Sequence, residues 1–172
     1  MFREFKLAFF DYDRTLVTHA YPVAGRRSLT YEDECYIYLS DSAIKKRHSG
    51  DKPLECMKWA IQHLKKHDAV LFVLTHEIFN LRSEMKSITA KEVFGIENYI
   101  EVDSPEHKVD MIKAIAKFHG VPLRSCLFVD DMMSTIYAAA TEGIYAVHTS
   151  DITAAYEEYV LSELRRLKGE EK

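Results

Sequence analysis

Asp11 and Asp13 stand one residue apart at the end of the apolar run Leu7-Ala8-Phe9-Phe10, and Thr15-Leu16 follow at once. Burying charge without a partner is strongly unfavourable, so a hydrophobic core has no use for two carboxylates at the tip of a buried strand. A metal-assisted phosphoryl-transfer site does have a use for them, and the rest of the chain supplies the missing parts. Thr75 follows a second apolar run, Lys108 opens a helical pattern, and Asp130-Asp131 follow a further run. Singly, each has an ordinary structural use. The first pair suits an Asx turn, the second a helix start, Thr75 a cap, and Lys108 a solvated face. Their joint placement is what carries meaning.

That placement depends on the elements. The segments 6–10, 69–74, 99–102, 126–129 and 144–147 are brief and apolar on both sides of the strand alternation. Strands buried on both faces of a parallel sheet read this way. Between them lie helical stripes: Leu54, Met57, Ile61 and Leu64; then Val109, Ile112 and Ala116; and finally Ile152, Tyr156, Val160, Leu164 and Leu167. Ile136, Ala139 and Ala140 predict a helix packed tightly on the sheet. The alternation of strand and helix predicts an α/β fold, a doubly wound, mostly parallel five-stranded sheet with right-handed crossovers. In such sheets ligands bind outside the carboxyl ends of the strands, near the point where strand order reverses. Every candidate residue falls at that edge.

A chain of 172 residues predicts a single domain, 1–172, long enough to bury a real core. Hydrophobic residues make up 47% and charged residues 29%, ordinary for a globular protein. The net charge of −4 gives no general pull toward nucleic acid or an anionic membrane, although a local basic patch is compatible with it. Three cysteines at unrelated spacings suggest neither a disulfide framework nor a zinc site, which fits a cytoplasmic protein. No signal peptide or membrane-length apolar run is present in the sequence. His19, His107 and His119 have no metal-ligand spacing. Trp59 and Cys126 read as core.

The order and placement of the motifs resembles the haloacid dehalogenase superfamily of phosphatases and phosphotransferases. Phe10-Asp11-Tyr12-Asp13-Arg14-Thr15-Leu16 is similar to that family's first motif, and Val73-Leu74-Thr75 to its second. Lys108 corresponds to the third, and Phe128-Val129-Asp130-Asp131 to the fourth. Two positions depart from the pattern. Arg14 stands where the family often has Gly, and Thr135 where it commonly has Asp or Asn. The resemblance implies a Rossmann-like sheet and a phosphate monoester hydrolase that works through an aspartyl-phosphate intermediate. Asp11 would be the nucleophile and Asp13 the general acid and base. Mg²⁺ would be the cofactor, held by the Asp11 and Asp131 side chains and the Asp13 backbone carbonyl. Asp130 would be a further ligand or an outer-shell holder. Thr75 and Lys108 would bind the phosphoryl oxygens.

Residues 17–52 break the alternation and carry no sustained period. A connection this long is usually functional or disordered. Set against the family, it predicts a short flap or small cap after the first strand and therefore a fairly open site. Relatives of that kind act on larger phosphorylated substrates, or borrow cover from a neighbouring subunit in a homo-oligomer; a small phosphorylated metabolite remains an alternative. Arg26, Arg27, Lys45, Arg47 and His76 are the candidate substrate contacts. Three other readings stay open: phosphotransferase or mutase chemistry on the same fold, a non-catalytic phosphate-binding module, and a receiver-like signalling domain. Chain order weighs against the last, since Asp130-Asp131 follow Thr75 and Lys108 instead of preceding them.

Overall fold

A computed structural model describes residues 4–18, 52–76 and 80–168, with the side chains of 80–82 left aside. Strand β1 (Leu7–Phe10) is buried along its whole length. The chain then forms β2 (Val17–Thr18) and, after the insertion, β3 (Lys52–Pro53). Helix α1 (Glu55–Lys66) leads to β4 (Val70–His76), α2 (Asn80–Phe94) and β5 (Asn98–Val102). Helix α3 (His107–Phe118) precedes β6 (Cys126–Asp130), α4 (Met133–Thr141), β7 (Tyr145–His148) and α5 (Thr149–Lys168).

Five strands form one sheet in the order β5-β4-β1-β6-β7, and every pairing within it is parallel. Strand β1 is central, so the chain winds outward to β5, crosses back, and winds outward again to β7. The reversal of strand order falls at β1, where the topology opens a crevice at the carboxyl ends.

Side-chain alternation divides the core into two layers. Ala8, Phe10, Leu71, Val73, Leu127 and Val129 face one side. There they meet Met57, Ile61 and Leu64 of α1, Ala90 and Phe94 of α2, and Ile152 of α5. Leu7, Phe9, Phe72, Leu74, Cys126 and Phe128 face the other, against Val109, Ile112 and Ala116 of α3 and Ile136 and Ala139 of α4. Both faces of each central strand need apolar residues, which is why these strands read as continuous hydrophobic runs.

Some expectations need correction. Ala140 is exposed, just beyond the edge of the helix face that buries Thr135, Ile136 and Ala139. Trp59 is half-buried, packing its ring on Tyr156 and Tyr159 at the margin of the core. The stripe on α5 is buried only at Ile152, while Leu164 and Leu167 are exposed. A helix of 20 residues is about 30 Å long, well beyond the length of four-residue β7. Its far half therefore runs past the sheet.

Strands β2 and β3 pair antiparallel, Val17 with Pro53 and Thr18 with Lys52, so residues 18 and 52 lie side by side. The expected substrate contacts Arg26, Arg27, Lys45 and Arg47 lie between these strands, outside the described residues. Among the described residues, no helix is long and apolar enough to cross a membrane.

Candidate active site

The register places the acidic pairs side by side. Phe10 pairs with Val129, and the Asp11 amide donates to the Val129 carbonyl at 2.9 Å, bringing the two strand ends together. Asp11 and Asp130 are both buried. Lys108, only 3% exposed near the start of α3, donates to Asp11 Oδ1 at 2.7 Å and to Asp130 Oδ2 at 2.8 Å. The second oxygen of Asp130 accepts the Met132 backbone N–H at 2.7 Å, which fixes the turn into α4. Thr75 is buried on β4, and His76, half-buried, ends that strand. The sheet thus brings Asp11, Asp130, Asp131, Thr75 and Lys108 to one edge.

A tight turn follows Asp11. The amides of Thr15 and Leu16 both donate to the Tyr12 carbonyl, at 3.3 and 2.9 Å. The turn needs a left-handed residue, and Arg14 supplies it with φ 59°. Glycine adopts that conformation without steric cost, which accounts for its frequent use at this position in the resembled family. Here the arginine side chain reaches Asp131, with Nε 3.6 Å from Oδ2. Thr135 is buried and donates its hydroxyl to the Met132 carbonyl at 2.8 Å, closing the first turn of α4.

The electrostatics follow from burial. It pushes Asp11 up to about 6; Lys108 pulls the other way, while Asp130 and Asp13 add to the rise. Asp131 is raised for the same first reason, against the pull of Arg14. Burial alone would lower Lys108, but Asp11 and Asp130 outweigh it and hold the ammonium above its ordinary range. Asp11, Asp130 and Asp131 each offer a carboxylate oxygen, and the three atoms lie within 4.8 Å of one another. An all-oxygen, carboxylate-rich set suits a hard divalent cation such as Mg²⁺.

Two residues of this neighbourhood escape a reading of the sequence. Lys86 of α2 pairs with the Asp13 carboxylate. His148 at the end of β7 hydrogen-bonds the Asp131 carbonyl through Nε2 at 2.9 Å. Lys86 lies on the buried stripe Lys86, Ala90, Phe94, which only the docking of α2 defines as core. The His148 contact likewise depends on the pairing of β6 with β7.

Solved structures place this architecture. A substrate-bound phosphoserine phosphatase complex matches with a TM-score of 0.60 at 16% identity, over 85% of this chain and 86% of that one. A phospho-aspartyl intermediate analogue of phosphoserine phosphatase matches at 0.58 and 16%, over 85% and 86%. A haloacid dehalogenase family enzyme from Bacteroides thetaiotaomicron, a magnesium complex, matches at 0.55 and 12%, over 85% and 93%. No protein-family model matches the chain, and neither does any curated protein. The chain has the haloacid dehalogenase-like α/β fold.

Proposed function

We propose that this protein is a Mg²⁺-dependent phosphatase that hydrolyses a phosphate monoester through an aspartyl-phosphate on Asp11. One observation carries the reading: Lys108 bridges Asp11 and Asp130 at 2.7 and 2.8 Å, beside Asp131, at the switch point of the sheet. A structural ion pair would need one carboxylate, whereas this edge gathers a nucleophile, a cation and a set of hard ligands. The structural neighbours described as phosphoserine phosphatase and as a magnesium complex support it.

In the first half-reaction an Asp11 carboxylate oxygen bonds to phosphorus as the bond to the leaving oxygen breaks, and Asp13 gives that oxygen its proton. In the second, Asp13 takes a proton from water as the water oxygen bonds to phosphorus and the Asp11–phosphorus bond breaks. Lys108 offsets the charge that spreads over the phosphoryl oxygens, and Thr75 donates a hydrogen bond to one of them. Asp11, Asp131 and the Asp13 carbonyl would hold the Mg²⁺. When bound, the cation would neutralise part of the phosphoryl charge. Asp130, with both oxygens already hydrogen-bonded, holds Lys108 and the α4 turn from the outer shell. His76, Arg26, Arg27, Lys45 and Arg47 are the proposed contacts to the rest of a phosphorylated substrate. The segment 17–52, short for a cap, would suit a large one.

Hydrolysis of a generic aryl phosphate, with Mg²⁺ and with EDTA, tests the reading beside the variant Asp11→Asn. Turnover that requires Mg²⁺ and vanishes in the variant is expected. Turnover that survives Asp11→Asn would overturn the assignment. Mg²⁺ binding without turnover of any phosphate ester would favour a phosphate-binding module.

A further inference from the structure

Lys86 is 0% exposed. Lysine is almost never so thoroughly buried, and withdrawing its ammonium from water is costly unless a carboxylate compensates. Its position makes that cost harder to explain as packing. Lys86, Ala90 and Phe94 fall at i, i+4 and i+8 on α2 and are all buried, so Lys86 occupies a place on the core-facing stripe. A methionine or leucine would fill that place with less desolvation. The charge must therefore act at its far end.

That end meets the Asp13 carboxylate at Oδ2. On the way the ammonium lies 5.2 Å from the centroid of the buried Tyr12 ring, a cation–π distance. The turn from Tyr12 to Leu16 fixes the backbone of Asp13, and α2 reaches across to its carboxyl group. Lys108 meanwhile is engaged by Asp11 and Asp130. Two buried lysines from two different helices thus divide the carboxylates between them.

We propose that Lys86 is a positioning residue for Asp13: it grips Oδ2 and so directs Oδ1 to the leaving oxygen in the first half-reaction and to water in the second. The inference rests on the phosphatase reading of Asp13. It adds a second lysine, from α2, which the motif pattern does not contain. Its consequence is a dependence on the leaving group. Where departure needs a proton, a poorly aimed Asp13 slows the reaction; where the leaving group departs unaided, aim matters little.

The test compares kcat/KM for phenyl phosphate and for 2,4-dinitrophenyl phosphate in wild type, Lys86→Met, Asp13→Asn and the double variant. Lys86→Met should lower kcat/KM for phenyl phosphate by roughly ten- to a hundredfold, and for the dinitrophenyl ester by under about threefold. Adding Lys86→Met to Asp13→Asn should cost nothing more. Equal losses on both esters, or losses that multiply in the double variant, would overturn the proposal. Urea unfolding of the same four proteins supplies a readout that does not depend on catalysis. Lys86→Met should raise the midpoint more in the Asp13→Asn background, where the buried ammonium no longer faces the Asp13 carboxylate, than in wild type. Equal shifts would overturn the pairing. If Lys86→Met does not fold, Lys86→Gln replaces it in both series, with the same outcomes. A wild type with no Mg²⁺-dependent turnover would sink the phosphatase reading, and the unfolding cycle would still judge the Lys86–Asp13 pair.

Discussion

Arg14 holds a left-handed backbone at φ 59° and sets its guanidinium 3.6 Å from the Asp131 carboxylate. The conformation costs a non-glycine residue about 1 kcal/mol or more. The ion pair returns little, since the Arg14 side chain is 75% exposed and surface pairs contribute at most about 1 kcal/mol. A strained residue that earns so little stability stands next to a proposed metal ligand, where its positive charge would oppose that of a bound cation.

Arg14→Gly should therefore leave thermal stability unchanged or raise it, by up to about 1 kcal/mol. It should also tighten Mg²⁺ binding on the order of threefold, because a like charge near the site is removed. Titrating the metal into wild type and variant at low ionic strength checks both the sign and the screening. Weaker Mg²⁺ binding in the glycine variant would show that Arg14 organises Asp131 instead of competing for it.

Asp11→Asn separates chemistry from folding. Removal of the proposed nucleophile should lower turnover by at least roughly a thousandfold while the protein stays folded. The variant also reports on the charge of Asp11. Its pKa is raised from 3.8 to about 6, so the native state holds this proton more tightly than the unfolded chain does. The associated stability is fully present below about pH 4 and is lost as pH rises through about 6. In metal-free wild type that loss, relative to Asp11→Asn, should be on the order of 2–3 kcal/mol. Chemical unfolding of both proteins from pH 4 to 8 would show parallel curves if Asp11 were not buried against its neighbours.

The sheet and its edge were legible in the sequence because their causes are local. Strands covered on both faces must be apolar throughout, so Leu7–Phe10 and Cys126–Val129 stand out from the helical stripes around them. The topology rule then places Asp11, Asp13, Thr75, Lys108 and Asp130-Asp131 together without any knowledge of contacts. Long-range side-chain reach was not legible. Lys86 looks like any helix lysine until α2 is docked against Tyr12. The surplus apolar residues at Leu164 and Leu167 read as core because periodicity says which face they share, not where the sheet stops. Arg14 was visible only as a departure from a glycine, and the positive φ supplies its physical meaning.

Lys108→Met should be the most damaging single change at the site. It leaves Asp11 and Asp130 buried side by side with no cation between them, and breaking a buried pair in this way costs about 3–5 kcal/mol. The damage should shrink at acid pH. Without Lys108 the carboxylates take up protons more readily, and a neutral carboxyl is cheaper to bury. Urea midpoints at pH 7.5 and pH 5 measure the difference. A cost independent of pH would mean that lost packing of the lysine stem, and not the uncompensated charge, dominates.

His148 gives a prediction about the metal. Ser150 donates its backbone N–H to Nδ1 at 3.2 Å, so Nδ1 carries the lone pair and Nε2 carries the hydrogen. Nε2 then donates to the Asp131 carbonyl at 2.9 Å and ties the loop after β6 to the end of β7. The ring touches the backbone of a proposed ligand and so would act on a bound metal through the orientation of that residue. Leucine at this position removes the donor at similar bulk, while glutamine retains an N–H. His148→Leu should weaken Mg²⁺ about tenfold or more, with kcat at saturating Mg²⁺ reduced by less than about threefold. His148→Gln should recover most of the affinity. The Mg²⁺ dependence of turnover, read together with direct titration of the metal, distinguishes these outcomes. Equal losses in leucine and glutamine variants would assign the effect to the imidazole's shape, and no loss in either would show that Asp131 is held well enough by its own turn.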